Sequence, residues 1–511
     1  MRQEHSSLPN RWIVIGTPTT IATAARLLRD HGVHPLGCLV LSRSDALLPS
    51  SLPALGTIDD LELVHGRHPF DGAVVTLPMA MSGAIARVRT ILRKLKVQER
   101  FLPIIDDVLT QEPASVWRGV GELDTGALIG RPARKLNEEL VSSLLRGRRV
   151  LITGAGGSIG SEIARICARF EPDSLLLMER SDNALFEIDR QIAARFPQLK
   201  RSAVLHDVVD ESGTLRRLTN LRPDVVFHAA AHKHVPLMED HPAAAVNNNF
   251  FGTQSVADAS LAVGAERFIL ISTDKAVNPT SVMGATKRLA ELYVRSLNNP
   301  HRPGVTGRTR FGLVRFGNVL GSACSVLPIW TNQIAEGGPV TVTHADMTRY
   351  FMTIPEAAAL VIQAGALEGD VFVLDMGEPV RIFDLARRFV RAHGLEPLVD
   401  GDATSSTPSR SSATIRVAIT GVRPGEKLYE ELFYQSEELG RTPVDGVFTW
   451  SGPAPEREGT AAMIEDLEAV RHSHDGPKVL RTLARYVPEL TRPKSEFVHC
   501  SPIRGVQEAA A

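Results

Sequence analysis

The stretch Arg148-Arg-Val-Leu-Ile-Thr-Gly-Ala-Gly-Gly-Ser-Ile-Gly-Ser-Glu162 decides the fold. A short β-branched run ends in glycines at Gly154, Gly157 and Gly160, and a helical pattern starting near Ile159 follows. Glycines at this spacing allow a tight turn and let backbone amides approach a pyrophosphate, whose charge then sits at a helix N-terminus. Glycine-rich turns are common, but this one has the strand before it and the helix after it that a dinucleotide site requires. Ser158 and Ile159 complete the loop. A second apolar strand, Ser174-Leu-Leu-Leu-Met-Glu179, ends in an acid at about the distance where a carboxylate accepts from the adenosine ribose hydroxyls. Glu179 favours NAD over NADP, because a 2′-phosphate would be repelled. Arg180, Asp207 and Val208 are expected beside the same cofactor.

The chain has 511 residues, too many for one ordinary domain. Its formal net charge of −1 gives no reason to expect nucleic acid or an anionic membrane as partner. Cys38, Cys167, Cys324 and Cys500 lie far apart in no metal-ligand spacing and fit a reducing compartment. The first ten residues are polar, without a secretory apolar segment, and no long uncharged apolar run exists. A cytoplasmic location is expected, as is a homo-oligomer.

Residues 1–110 read as a small α/β unit. Strands are expected at Arg11–Ile15, Leu36–Leu41, Phe70–Leu77 and Phe101–Ile105, with helices at Ile21–His31 and Gly83–Leu95. Such alternation predicts a parallel sheet. Its first turn, Gly16-Thr-Pro-Thr-Thr20, carries side chains where a pyrophosphate would need bare backbone. The unit therefore reads as a degenerate Rossmann-like domain, an assembly or regulatory module rather than a second cofactor site. A polar linker is expected over 111–138 and an NAD-binding catalytic domain over 139–450. Within the latter, a substrate lobe of loops and shorter helices is expected mainly at 328–435. Residues 401–414 are low-complexity and read as a surface insertion, and 451–511 as a charged, irregular tail. The expected fold class is α/β, a doubly wound parallel sheet with a smaller lobe.

Two segments carry chemistry. His228-Ala-Ala-Ala-His-Lys-His-Val-Pro236 follows an apolar strand, and its small residues Ala229, Ala230 and Ala231 allow close approach to a cofactor. His232 and His234 lack a third and fourth ligand, so no metal is expected. Asn249 opens another helix, where a buried amide can bridge backbone groups, and it is expected beside the cofactor. The strand Phe268–Ser272 ends in Thr273-Asp274-Lys275, a hydroxyl, a carboxylate and an ammonium in consecutive positions. Strand ends on the carboxyl side of a doubly wound sheet are where ligands sit. Asp274 and Lys275 can act as acid and base if burial and their mutual charge tune them; the alternative is a solvated ion pair. Met283-Gly-Ala-Thr-Lys287 then opens a helix. Short-chain dehydrogenases/reductases carry Tyr-x-x-x-Lys in this slot. A thioether transfers no proton, while Lys287, one turn on, can still bind the nicotinamide ribose.

These residues resemble the CapD-like polysaccharide biosynthesis family of nucleotide-sugar dehydratases, in the extended short-chain dehydrogenase/reductase superfamily. The resemblance runs from about Leu136 to Phe433. Beyond the segments above it includes Val314-Arg-Phe-Gly-Asn-Val-Leu-Gly-Ser322, Met347-Thr-Arg-Tyr-Phe-Met352 and Arg423-Pro-Gly-Glu-Lys-Leu-Tyr-Glu-Glu431. The methionine at 283 is similar to one subgroup, the UDP-N-acetylglucosamine 4,6-dehydratases that retain C5 configuration. That subgroup usually begins with membrane helices, which this chain lacks, so it resembles a soluble, truncated version. Ala323-Cys324 stands where Arg-Gly is usual. The resemblance implies NAD as cofactor, a UDP-sugar as substrate and an internal redox reaction. In that reaction Lys275 is the C5 base, Asp274 the C6 acid and Thr273 a hydrogen-bond partner of the C4 oxygen. Lys233, His234, Arg315, Asn318, Arg349, Arg423 and Glu426 are the substrate-side candidates, with a structural salt bridge the alternative for Arg349 and Glu426. A C4 epimerase, an inverting dehydratase and a non-catalytic NAD-binding regulator are the competing readings.

Overall fold

Buried β-branched and leucine-rich runs build the two largest sheets among the described residues. In this computed structural model the described residues are 11–17, 20, 21, 24, 25, 28, 29, 33–41, 52–77, 82–95, 97–101, 134–298, 309–393, 395–399 and 414–491. The chain divides into two compact units, Met1–Asp124 with Arg387–Val417, and Thr125–Ala386 with Ala418–Ala511.

The first unit holds a parallel five-stranded sheet. Its strands are β1 (Trp12–Gly16), β2 (Gly37–Val40), β3 (Ala54–Thr57), β4 (Gly72–Thr76) and β5 (Gln98–Phe101), in the order β3-β2-β1-β4-β5. The pattern Trp-Ile-Val-Ile in β1 is buried on both faces, as a central parallel strand requires. Strand β3 and the helix Leu61–Arg67 were not expected from the sequence, because Ala54-Leu-Gly-Thr57 is short and weakly apolar. The last strand lies at Gln98–Phe101 rather than Phe101–Ile105, whose remaining residues fall outside the described ones. After β1, the Thr20 hydroxyl donates to the Thr76 carbonyl at 2.7 Å and accepts from the Thr17 amide at 3.0 Å. A threonine side chain thus ties β1 to β4 at the turn where a nucleotide site would leave space.

In the second unit the strands are β6 (Arg149–Thr153), β7 (Ser174–Glu179), β8 (Arg201–Leu205), β9 (Val225–His228), β10 (Arg267–Ile271) and β11 (Arg310–Arg315). They are parallel, in the order β8-β7-β6-β9-β10-β11. Strand order reverses between β6 and β9, and crevices at such switch points bind ligands. Val371–Leu374 adds a seventh parallel strand, and Val447–Trp450 and Gly440–Arg441 close the edge antiparallel. Residues expected to form only loops and short helices thus supply a core strand, Val-Phe-Val-Leu, and the 13-residue helix Ile354–Ala366. That helix packs on the fingerprint helix Ser158–Cys167. The tail also departs from expectation. Arg457–Glu468 and Gly476–Tyr486 are helices that pack on Val282–Ser296, burying Met463, Leu467, Val479 and Leu483. Residues 111–133 of the linker and 401–413 of the insertion lie outside the described residues.

Candidate active site

At the switch point the chain is shaped around bare backbone. Gly154 has φ +65°, a left-handed conformation, and a Cβ there would lie 2.7 Å from the Ala230 amide nitrogen. A Cβ on Gly160 would lie 2.1 Å from the Gly154 carbonyl oxygen, so only glycine lets the helix start close against β6. The helix Ser158–Cys167 begins after Gly157 and points its N-terminus at this turn. Glu179 ends β7 beside it. One of its oxygens accepts from the Gly156 amide at 3.2 Å, the other from the Arg180 and Ser181 amides at 3.0 and 3.1 Å.

A cavity of about 270 Å³ opens here, walled by Gly154, Glu179, Arg180, Asp207, Val208 and Asn248, with Ala229–Ala231 as its floor. Asn249 was expected on the cofactor; the structure turns it away. It is fully buried, accepts from the His232 amide at 2.7 Å and donates to the His232 carbonyl at 3.1 Å and Thr286 at 3.2 Å. The segment Val246–Phe251 is a π-helix, whose wider turn presents Asn248 to the cavity and leaves Asn249 to hold the His232 loop. Asn248 in turn accepts from Arg180 at 3.2 Å. His228 is wedged between Thr153 and Thr253 at 2.8 and 3.0 Å, and burial pushes its imidazole down to about 3, so it is neutral.

A second cavity, about 690 Å³, runs on from Gly157, Ser158, Ile159 and Gly160 past Thr273, Lys275, Met283 and Lys287 to Arg423. Strand β10 and its continuation place the reactive trio. The Ser272 amide bonds to Val314 and the Asp274 amide to Phe316, at 2.8 and 3.0 Å, which carries the chain past the end of β11 into the turn Asp274–Ala276. Gly284 is required behind it, since a Cβ there would meet the Lys275 carbonyl oxygen at 2.2 Å. Within the turn, the Thr273 hydroxyl donates to Asp274 Oδ1 at 2.8 Å, and Lys275 Nζ donates to the same oxygen at 3.0 Å. Lys275 Nζ also donates to Asn318 Oδ1 at 3.1 Å. Asp274 is fully buried behind Thr273 and Lys275, which themselves face the cavity. Burial, reinforced by Glu430, raises the Asp274 carboxyl above the ordinary range, against the pull of Lys275. Burial works against charge on Lys275, but Asp274 and Glu430 outweigh it and hold the ammonium above its usual value.

Met283 and Lys287 lie one turn apart on Val282–Ser296, which is capped by the Ser281 hydroxyl accepting from the Gly284 amide at 3.1 Å. Lys287 Nζ donates to the Ile271 carbonyl at 2.7 Å, and burial lowers it to about 8, with Glu291 opposing. Met283 lines the cavity and offers it no ionisable group.

Of the substrate-side candidates, Lys233, His234, Asn318, Arg349, Arg423 and Glu426 line this cavity. Lys233 Nζ donates to the Ala323 carbonyl at 2.7 Å, and the Ala323 amide donates to Ser158 at 3.1 Å, so residue 323 straps the glycine loop. Arg349 is largely spent on the chain itself. It donates to the carbonyls of Thr348, Leu428 and Lys427 at 2.7, 3.2 and 2.8 Å and faces Glu430 at 3.8 Å. Glu426 accepts from the Arg423 amide at 3.3 Å. Arg315 is not a substrate residue in this geometry. Its side chain is fully buried and forks onto Glu291 (2.7 and 2.8 Å) and Glu437 (2.7 Å), a structural arginine beneath the site. Glu291 and Glu430 went unread in the sequence. Glu291 had a signal, standing one helical turn after Lys287; Glu430 stands in the Arg423–Glu431 stretch where only Arg423 and Glu426 drew notice. Among the described residues no cluster of His, Cys, Asp and Glu is arranged to hold a metal, and no helix is long and apolar enough to cross a membrane.

Comparison with known proteins agrees with this architecture. Residues 150–451 match the family described as polysaccharide biosynthesis protein. The capsular polysaccharide biosynthesis protein CapD of Staphylococcus aureus is 40% identical over 385 residues, 75% of this chain and 61% of CapD, so the chain spans about three fifths of that relative's length. A UDP-N-acetylglucosamine 4,6-dehydratase (inverting) of Campylobacter jejuni is 30% identical over 289 residues, 55% of this chain and 76% of that protein. The X-ray structure of Pen from Bacillus thuringiensis superimposes with a TM-score of 0.53 at 30% identity, covering 61% of this chain and 92% of that one. The chain belongs to the CapD-like polysaccharide biosynthesis family, nucleotide-sugar dehydratases and epimerases built on the extended short-chain dehydrogenase/reductase fold.

Proposed function

We propose that this protein is an NAD-dependent nucleotide-sugar 4,6-dehydratase that acts on UDP-N-acetylglucosamine and retains configuration at C5. The observation that carries the reading is the Thr273–Asp274–Lys275 cluster, hydrogen-bonded internally and facing a cavity continuous with the glycine turn, with a methionine in place of a phenol. NAD would extend from the first cavity into the second, because Gly154 and Gly160 leave the space a Cβ would fill, Glu179 stands where the adenosine ribose hydroxyls would come, and Lys287 lines the second cavity. Bound there, it supplies a hydride acceptor at C4 and a hydride donor at C6, with no net redox change.

The chain's own residues handle the protons. The Thr273 hydroxyl contacts the C4 oxygen and passes its proton to Asp274 Oδ1, which answers for the missing tyrosine. Lys275, in its free-amine form, takes the proton from C5, acidified by the new C4 ketone. Asp274, buried behind Thr273, returns its proton through the Thr273 hydroxyl to the departing C6 hydroxyl, so water leaves. Lys275 then gives its proton back to C5, and the cluster ends as it began. Lys287 orients the nicotinamide ribose, and Arg423 is placed to meet the substrate diphosphate.

The test is Asp274→Asn and Lys275→Met. Both variants are expected to bind NAD and UDP-sugar, with turnover down by about 10²–10⁴-fold, the range for lost acid–base catalysis. The lysine variant is expected to stall as a 4-keto sugar with little solvent deuterium entering C5. Wild-type exchange in that variant would move the base elsewhere, with His234 next in line. A C4 epimerase on the same fold would use the phenol that Met283 replaces.

A further inference from the structure

The reaction proposed above needs one cofactor molecule twice, first to take hydride from C4 and then to return it at C6. A cofactor lost between those steps would strand a 4-keto sugar. The crevice that would receive it lies at the switch point, between the ends of β6 and β9. Both cavities share Gly154, Gly157, Ala229 and Ala231, so a dinucleotide spanning them passes through this crevice.

Residues 322–325 cross that crevice. They follow the short strand Asn318–Leu320 and lead into the helix Val326–Ala335. The Ala323 amide donates to Ser158 Oγ at 3.1 Å, on the bank that follows β6. The Ala323 carbonyl accepts from Lys233 Nζ at 2.7 Å, on the bank that follows β9. One residue is thus tied to both banks through its own backbone. Ser322, Ala323 and Cys324 line the second cavity. Ala323 and Cys324 are exposed, so hydrogen bonds rather than burial hold this part of the segment in place. Cys324 stands at φ +55°, a left-handed conformation that a residue other than glycine keeps only where its surroundings impose it.

We propose that residues 322–325 form a strap over the bound cofactor and that Lys233 is the positioning residue that latches it. The proposal rests on NAD lying across the two cavities. Ser158 holds the strap as well, but it stands in the glycine loop, so changing it would disturb the cradle itself. Lys233 reaches the strap from outside that loop. With the latch fastened, the cofactor is slow both to leave and to enter; with the latch removed, both become faster. A direct cofactor ligand behaves differently, because losing it speeds departure and leaves entry nearly unchanged. The latch is one hydrogen bond at an exposed position, weak enough to open and let the cofactor load.

The experiment is stopped-flow fluorescence of NADH with the full chain and no sugar present. Association is read on mixing and dissociation on displacement by excess NAD. Lys233→Met keeps much of the stem and removes the donor; Lys233 is exposed, so the variant is expected to fold. Both rate constants are expected to rise about three- to tenfold, the weight of one hydrogen bond, with the dissociation constant within about threefold of wild type. Lys233→Arg, which keeps a cationic donor, is expected to restore slow exchange in part. Faster dissociation with unchanged association would make Lys233 a cofactor ligand, and unchanged rates would leave it no hold on the cofactor; either result overturns the proposal. The readings separate cleanly. A wild-type chain that binds no NADH removes the cofactor assignment and the strap with it. Exchange that quickens in Lys233→Met, beside UDP-N-acetylglucosamine left unchanged by the wild type, removes the dehydratase reading and leaves the strap.

Discussion

Replacing Gly160 by alanine tests the cofactor cradle at one atom. The new Cβ would stand 2.1 Å from the Gly154 carbonyl oxygen, 2.9 Å from its carbon and 3.1 Å from Ala155 Cα. All three are backbone atoms, so no side chain can swing aside. The first turn of Ser158–Cys167 and the end of β6 must separate by roughly 1 Å to restore an ordinary contact, and overpacking of this kind costs about 1–3 kcal/mol of stability. The same displacement pulls the helix N-terminus off a bound pyrophosphate. Hydrogen bonds to charged groups are worth about 1.5–3 kcal/mol each, so the loss of one or two predicts at least about tenfold weaker NAD binding. Calorimetric titration with NAD and a thermal unfolding scan read the two effects separately. Gly459→Ala is the control. Gly459 lies within the helix Arg457–Glu468 with nothing within 4 Å of an added Cβ, so alanine there is expected to stabilise by up to about 1 kcal/mol and leave NAD affinity alone. A Gly160→Ala protein that binds NAD within about threefold of wild type would refute the cradle.

Three further outcomes follow from the same geometry. Glu179 at the ribose end predicts a strong preference for NAD, so tighter binding of NADP in parallel titrations would remove that assignment. Met283→Leu is expected to keep substantial turnover, since volume and polarity barely change; an inactive variant with intact fold and NAD binding would give the sulfur a role. His228, lowered from 6.5 to about 3, stays neutral in the folded protein while its unfolded counterpart gains a proton. Its share of stability is therefore complete above pH 6.5 and is lost as pH falls toward 3, at up to about 1.4 kcal/mol per pH unit. Urea unfolding of His228→Gln between those limits should show a slope shallower by about that amount, and an unchanged slope would mean the imidazole is already charged in the fold.

The second unit was legible where local pattern and chemistry coincide. The strand–glycine–helix sequence at 148–162 fixed a switch point, and small residues after β9 and the hydroxyl–acid–amine run after β10 marked two more strand ends at that crevice. Long-range partnership left weaker traces. Nothing near Arg315 in sequence says that Glu291 and Glu437 will neutralise it, so a buried arginine looked like a phosphate ligand. Asn249 bridges backbone groups as its residue type suggests, but a π-helical turn, invisible in composition, brings Asn248 and not Asn249 to the cavity wall. Val371–Leu374 was missed because four residues in a loop-rich region carry little periodicity, although the sheet buries them completely. The tail helix Gly476–Tyr486 had a readable i, i+4 pair in Val479 and Leu483, outweighed by its five charged or polar neighbours.

The most direct test of the central claim is incubation of the purified chain with NAD and UDP-N-acetylglucosamine, followed by mass spectrometry and NMR of the sugar nucleotide. The account predicts a product lighter by one water, with a C4 ketone, a C6 methyl group, retained configuration at C5 and no accumulation of reduced cofactor. A product of unchanged mass with altered C4 stereochemistry would make the protein an epimerase, and an untouched sugar beside tightly bound NAD would make it a non-catalytic regulator; either result would contradict the account.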